Sequence, residues 1–214
     1  VTPASVRIYR TLAALVGWLA VGIQYYTLVH DKTGAAFTSE TIFFLSFFTI
    51  WTNILLATAM TFSGLAPRSA AGAFFSRPGV RTALCVYIII VAVVYHWLLS
   101  DLWDPKGLQL FADRLLHTVV PIMFVLDWLM FVPKGTLGVA SLPLWLFIPF
   151  VYMVYTLVRG AAVSEYPYPF VDVVQLGYPA VIVNIFGLSA AFIAVGLVLI
   201  AVDRRLGLIR NAKR

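Results

Sequence analysis

Apolar residues gather into six long runs separated by short polar loops, near Ile8–Val29, Thr41–Ser63, Val80–Asp101, Leu110–Phe131, Val139–Val158 and Tyr178–Val202. Each run contains or approaches the ~20 residues that a helix rising ~1.5 Å per residue needs to cross ~30 Å of hydrocarbon. The pattern predicts an all-α, polytopic membrane protein with six transmembrane helices in one bundle. Six spans use most of the 214 residues, so residues 1–214 read as a single transmembrane domain with no separate soluble one. Leu12–Val29 is longer than the ~7–15 residue apolar stretch of a signal peptide and lacks a clear small-residue cleavage site behind it, so it is read as the first helix.

Composition points the same way. Hydrophobic residues make up 62% and charged residues 11%, where soluble domains carry about a quarter charged. Charge then sets an orientation. With six spans, the N-terminus, the second and fourth loops and the C-terminus share one side. That side carries Arg7, Arg10, Arg68, Arg77, Arg81, Lys134 and the five basic residues of Arg204–Arg214. The opposite side carries only Lys32, Lys106, Arg114 and Arg159. By the positive-inside rule this places both termini in the cytoplasm. The basic balance therefore reports topology, with the Arg204–Arg214 tail meeting anionic lipid head groups at ~1 kcal/mol per basic residue. No soluble patch of interleaved aromatic and basic residues supports nucleic-acid binding. The lone Cys85 excludes an internal disulfide framework and reads as a small buried residue.

Polar residues inside the runs are more informative, because in hydrocarbon each needs a partner or a water-filled cavity. Counted inward from the outer end of each run, Gln24, Thr49, His96, His117 and Asn184 all lie about 8–12 Å deep. Five residues from five helices in one layer imply a polar pocket open to the outer side. Asp127, near the inner end of the fourth run, is expected to reach the interface. Ser46, Thr49 and Asn53 follow one stripe of the second run, with Thr52 beside it. Asp113, His117 and Pro121 follow one stripe of the fourth. That spacing lets Asp113 take a hydrogen bond from one nitrogen of His117 and leaves the other free to act as a base.

No histidine has local metal-ligand spacing, and no HExxH or GxSxG element is present, so neither a metal nor a cofactor is expected. A nucleophile would then come from Ser, Thr or Tyr, and a hydroxyl needs a base within ~2.6–3.2 Å, a task suited to His117. Other classes stay open on the same residues. His96 and His117 on successive helices could hold a b-type haem, although no second His pair lies across the membrane. A small transporter using Asp113 and His117, or a lipid-binding protein without catalysis, would also use these polar positions. His30, beside Asp31 and Lys32, reads as solvated.

Six spans, Phe-Phe-Thr-Ile-Trp-Thr-Asn at Phe47–Asn53, His-Thr-Val-Val-Pro at His117–Pro121 and Tyr-Pro-Phe at Tyr168–Phe170 together resemble the androgen-induced membrane hydrolase family, in a prokaryotic branch. The topology likeness covers the whole chain and the residue likeness those three stretches. It implies a six-span hydrolase of fatty acid esters of hydroxy fatty acids, with an intramembrane Thr nucleophile at Thr49 and its His at His117. Thr52, three positions on, offers a second hydroxyl near the same face. Ser46, Asn53, Asp113, His96, Gln24 and Asn184 are expected to line the site, with Asn53, Gln24 or Asn184 as amide donors to an oxyanion. The expected partners are membrane lipids and a lipid ester.

Overall fold

A computed structural model describes residues 3–212, and among these there is no strand. Six helical segments are long and apolar enough to cross a membrane: Ala4–Val29, Phe48–Leu65, Pro78–Leu102, Leu108–Phe131, Val139–Val163 and Val173–Ile209. The chain is an all-α integral membrane protein with six spans. Its α-helices in order are α1 (Ala4–Val29), α2 (Gly34–Phe44), α3 (Phe48–Leu65), α4 (Ala70–Phe75), α5 (Pro78–Val94), α6 (Leu108–Arg114), α7 (Val120–Phe131), α8 (Leu142–Trp145), α9 (Phe147–Val163) and α10 (Val173–Ala212). We call the end of the bundle where α1 begins the amino end, and the other the distal end.

Small residues bring α1 and α3 together. A Cβ on Gly17 would lie 3.1 Å from that of Ala57, and one on Gly64 would lie 3.0 Å from the backbone nitrogen of Thr11. Apolar side chains gain little by leaving lipid for one another, so such close backbone approach, with its dispersion contacts, is how membrane helices associate. Leu56 and Met60 of α3 join Ile88 of α5 and Phe124 and Trp128 of α7 in one buried core, all at most 2% exposed.

The second run is not one helix. α2 stops at Phe44, Phe47 is extended (φ −92°, ψ 130°), and α3 restarts at Phe48. A break inside a membrane protein needs new partners for the released carbonyls. Trp51 Nε1 donates to Leu45 O at 2.7 Å and Tyr152 Oη donates to Ser46 O at 2.9 Å. The expected Thr41–Ser63 span is therefore corrected to Phe48–Leu65, and Thr49 moves from mid-helix to the first turn of α3. The last segment also bends. Gly177 (φ 74°) interrupts α10 just before Pro179, so the regular part of the helix begins near Tyr178, as the apolar run predicts.

Charge at the amino end differs from expectation too. Asp127 is not exposed at the end of its helix. It is wholly buried, with Oδ1 2.7 Å from Arg10 Nε and Oδ2 2.9 Å from Arg81 Nη1. Arg81 is equally buried, and it also donates to Phe75 O, Ser63 Oγ and Met60 Sδ. Two of the arginines counted toward topology are thus held inside the bundle. Asp203 Oδ2 accepts the backbone N–H groups of Gly135, Thr136 and Leu137, each at 3.0 Å, which ties the loop after α7 to α10.

Candidate active site

Two apolar cavities of about 390 and 370 Å³ meet in the distal half, and Thr49, Leu99 and Tyr168 lie on the walls of both. The first runs between α9 and α10 past Phe150, Met153, Ile185 and Leu188. The second is bounded by α1, α2 and the loops, and takes in Gln24, Tyr95, Trp103 and His117. Both sizes fall in the range of small-molecule sites.

The break before α3 places Thr49. Its N–H lies in the first turn, where a helix has no carbonyl partner for it, and it donates instead to Tyr168 Oη at 3.3 Å. Thr49 Oγ1 is 3.4 Å from the same hydroxyl. Asn53, one turn further on, gives its amide to Thr49 O at 2.9 Å and to Leu116 O at 3.4 Å. One side chain thereby links the backbone of Thr49 to the residue preceding His117. Asn53 is fully buried and on neither cavity wall, so it positions both elements and does not touch a ligand.

His117 sits in a single π-helical turn, Leu115–Val119, and faces a second one, Tyr95–Leu99. Such turns widen a helix locally and are frequent at functional sites. Here they let the imidazole stack on the Tyr95 ring with centroids 3.7 Å apart and planes 10° from parallel. Nδ1 lies 3.0 Å from Asp113 O and 3.1 Å from Asp113 Oδ1. Both neighbours accept, so in the neutral imidazole Nδ1 carries the proton and Nε2 the lone pair. Asp113 is itself held, since Tyr95 Oη donates to its Oδ2 at 2.6 Å and Trp103 Nε1 donates to Tyr95 Oη at 3.4 Å. The spacing brings Asp113 beside His117 as expected, but the hydrogen bond of Nδ1 is to the Asp113 backbone carbonyl, and Asp113 Oδ1 makes no hydrogen bond among the described residues. Tyr95 and Trp103 are distant in sequence and gave no such signal.

The other expected site residues are distributed less favourably. Gln24 is on the wall of the second cavity. Thr52 is fully buried away from both cavities, and its Oγ1 has no hydrogen-bond partner among the described residues. Ser46 Oγ donates to Ile42 O at 2.7 Å and lies 3.1 Å from Tyr155 Oη, so it serves the break between α2 and α3. Asn184 donates to Phe170 O at 2.8 Å and secures the loop that carries Tyr168. His96 is exposed, lines neither cavity and meets Thr118 Oγ1 at 3.1 Å. His30 is exposed, stacked on Tyr26.

Tyr168 is the residue that the pocket reading passed over, although its Tyr-Pro-Phe stretch stood out. It is buried, stacked on Phe170 with centroids 5.2 Å apart and edge-on to Phe47 at 5.6 Å. Burial pushes its phenol pKa up, so it remains a neutral hydroxyl. The arrangement offers a hydroxyl at a helix start, an imidazole with a fixed tautomer on the same cavity wall, and apolar space on both sides. Comparison with family models, with curated proteins and with solved structures finds no match for this chain, so a functional reading rests on the residues themselves.

Proposed function

We propose that the chain is an integral membrane lipid ester hydrolase in which Thr49 is the nucleophile and His117 the base. The observation that carries this is the shared cavity. Thr49 and His117 lie on one wall system, and Asp113 and Tyr95 hold the imidazole in the tautomer a base requires. The resemblance of Phe47–Asn53 and His117–Pro121 to the androgen-induced membrane hydrolases supports the same pair. Thr49 is preferred to Thr52 because only Thr49 borders the cavities.

In the reaction, His117 Nε2 takes the Thr49 hydroxyl proton as Oγ1 bonds to the ester carbonyl carbon and the carbonyl π pair moves onto oxygen. Collapse of that oxyanion breaks the bond to the alkoxy oxygen, which leaves with the proton from His117. Water, deprotonated in turn by His117, then releases the fatty acid from Thr49. Two apolar lobes meeting at Thr49 suit an ester with a long chain on either side, such as a fatty acid ester of a hydroxy fatty acid. The charge bias of the sequence supports a reading with both termini in the cytoplasm, and the resemblance to a prokaryotic branch supports a bacterial plasma membrane with the site in its outer leaflet.

The test is labelling of detergent-purified protein with a fluorophosphonate, read by intact mass in wild type, Thr49→Ala, Thr52→Ala and His117→Ala. One adduct is expected that vanishes with Thr49 or His117 and survives loss of Thr52. A folded wild type that takes up no adduct and cleaves no ester would overturn the hydrolase reading in favour of lipid binding without catalysis.

A further inference from the structure

An acyl transfer at Thr49 develops negative charge on the carbonyl oxygen, and a preorganised donor for that charge is usually the largest electrostatic contribution to the rate. The amides that sequence position suggests are mostly committed elsewhere. Asn53 spends its N–H groups on Thr49 O and Leu116 O, and Asn184 donates to Phe170 O. From the geometry, and resting on the hydrolase reading above, we infer that Tyr168 is the oxyanion donor of this site and so a catalytic residue in its own right.

Three features support the assignment. First, Tyr168 Oη lies 3.4 Å from Thr49 Oγ1 and borders both lobes. The oxyanion is the former carbonyl oxygen of the carbon that Oγ1 joins, so it arises next to this hydroxyl. Second, the oxygen of Tyr168 already accepts the Thr49 N–H at the start of an 18-residue helix. Accepting a bond from the positive end of a helix draws electron density from the phenol oxygen and strengthens its O–H as a donor. Third, the ring has little freedom. It is clamped between Phe47 and Phe170, Asn184 fixes the Phe170 carbonyl, and Asp172 Oδ1 accepts the N–H groups of Val174 and Gln175 at the start of α10. The donor is therefore in place before the substrate arrives. No proton leaves Tyr168 during the cycle. At rest its hydrogen can point to Thr49 Oγ1, and it turns to the oxyanion as Oγ1 becomes an ester oxygen.

The experiment measures Thr49-dependent turnover of a p-nitrophenyl acyl ester and of the matching thiono ester, whose carbonyl sulfur is a poor hydrogen-bond acceptor. Wild type, Tyr168→Phe and Gln24→Leu are compared in detergent, with thermal unfolding as a check on folding. Tyr168→Phe keeps the ring packing. It is expected to lower kcat for the oxygen ester by about 10²-fold with little change in KM, and to lower thiono ester turnover far less, so that the preference for oxygen collapses. A purely structural role for Tyr168 would lower both rates alike. Unchanged kcat in Tyr168→Phe, equal losses on both esters, or a loss confined to Gln24→Leu overturns the assignment while Thr49-dependent hydrolysis persists. Absence of Thr49-dependent hydrolysis in wild type overturns the hydrolase reading and this inference with it.

Discussion

Each half of the bundle buries a polar cluster, and the two are built on different terms. At the amino end, Asp127 is enclosed by Arg10 and Arg81, both its oxygens are taken, and Arg81 also donates to Phe75 O, Ser63 Oγ and Met60 Sδ. Neither Asp127 nor Arg81 lines either of the two cavities that meet at Thr49. At the distal end, His117 is tied through Nδ1 alone among the described residues, and Thr49 and Tyr168 face open apolar space. A saturated network has no capacity left for a ligand and acts on folding and specificity. An unsaturated one beside a cavity keeps lone pairs and protons free for chemistry. Burial of an ionisable group in a membrane helix therefore does not distinguish structure from function by itself. The count of free valences and the adjoining space do.

The largest expected effect lies in the saturated cluster. Asp127→Ala leaves two arginines buried without their counter-ion, and breaking a buried pair in this way costs about 3–5 kcal/mol. Thermal unfolding in detergent should show a large drop, or the folded protein should not be recovered at all. The comparison is sharpened by replacing Arg10 and Arg81 with Met together with Asp127→Leu. Removing every member at once should restore most of the stability, since the cost comes from charges left unpaired. A single Asp127→Ala variant as stable as wild type would sink the view of this cluster as a structural lock.

Next comes the carboxylate of the unsaturated cluster. Asp113→Asn preserves shape and can still accept from Tyr95, but its amide nitrogen can donate to His117 Nδ1 and favour the wrong tautomer. Ester turnover should fall by about 10²-fold, within the usual contribution of a general base, while the unfolding midpoint stays near that of wild type. The opposite result, lost stability with retained turnover, would make Asp113 another structural carboxylate and erase the contrast between the two ends.

Much of this was legible from the pattern of residues. Six apolar runs gave the six spans, and the four-residue spacing of Asp113 and His117 gave their contact, because both depend on local helical geometry. Features set by tertiary partners were not legible. The break at Leu45–Phe47 depends on Trp51 and Tyr152 capturing two carbonyls, and a run of apolar residues carries no mark of that. Asp127 looked interfacial by its position near a helix end, yet arginines from two other helices reach it inside. His96 and His117 lie at similar depth by count. They differ in which face they occupy, and a π-helical turn in each segment shifts the faces. Tyr168 comes from a loop, where helical spacing says nothing about what a side chain meets.

The smallest effect is the one that separates the two hydroxyls of α3. Thr52 is fully buried, and its Oγ1 lacks a partner among the described residues, whereas Thr49 borders both cavities. Burying a hydroxyl without a hydrogen bond is unfavourable, so Thr52→Val, similar in shape, removes a polar atom that the fold does not use. Stability should hold or rise by up to ~1 kcal/mol, seen as an unchanged or slightly higher unfolding midpoint, and fluorophosphonate labelling should match wild type. Thr49→Val changes the same atoms at the cavity wall and should abolish labelling with little change in the midpoint. If Thr52→Val instead removed the adduct, the nucleophile would have to be reassigned to Thr52. Adjoining space would then fail as the criterion that tells a structural hydroxyl from a reactive one.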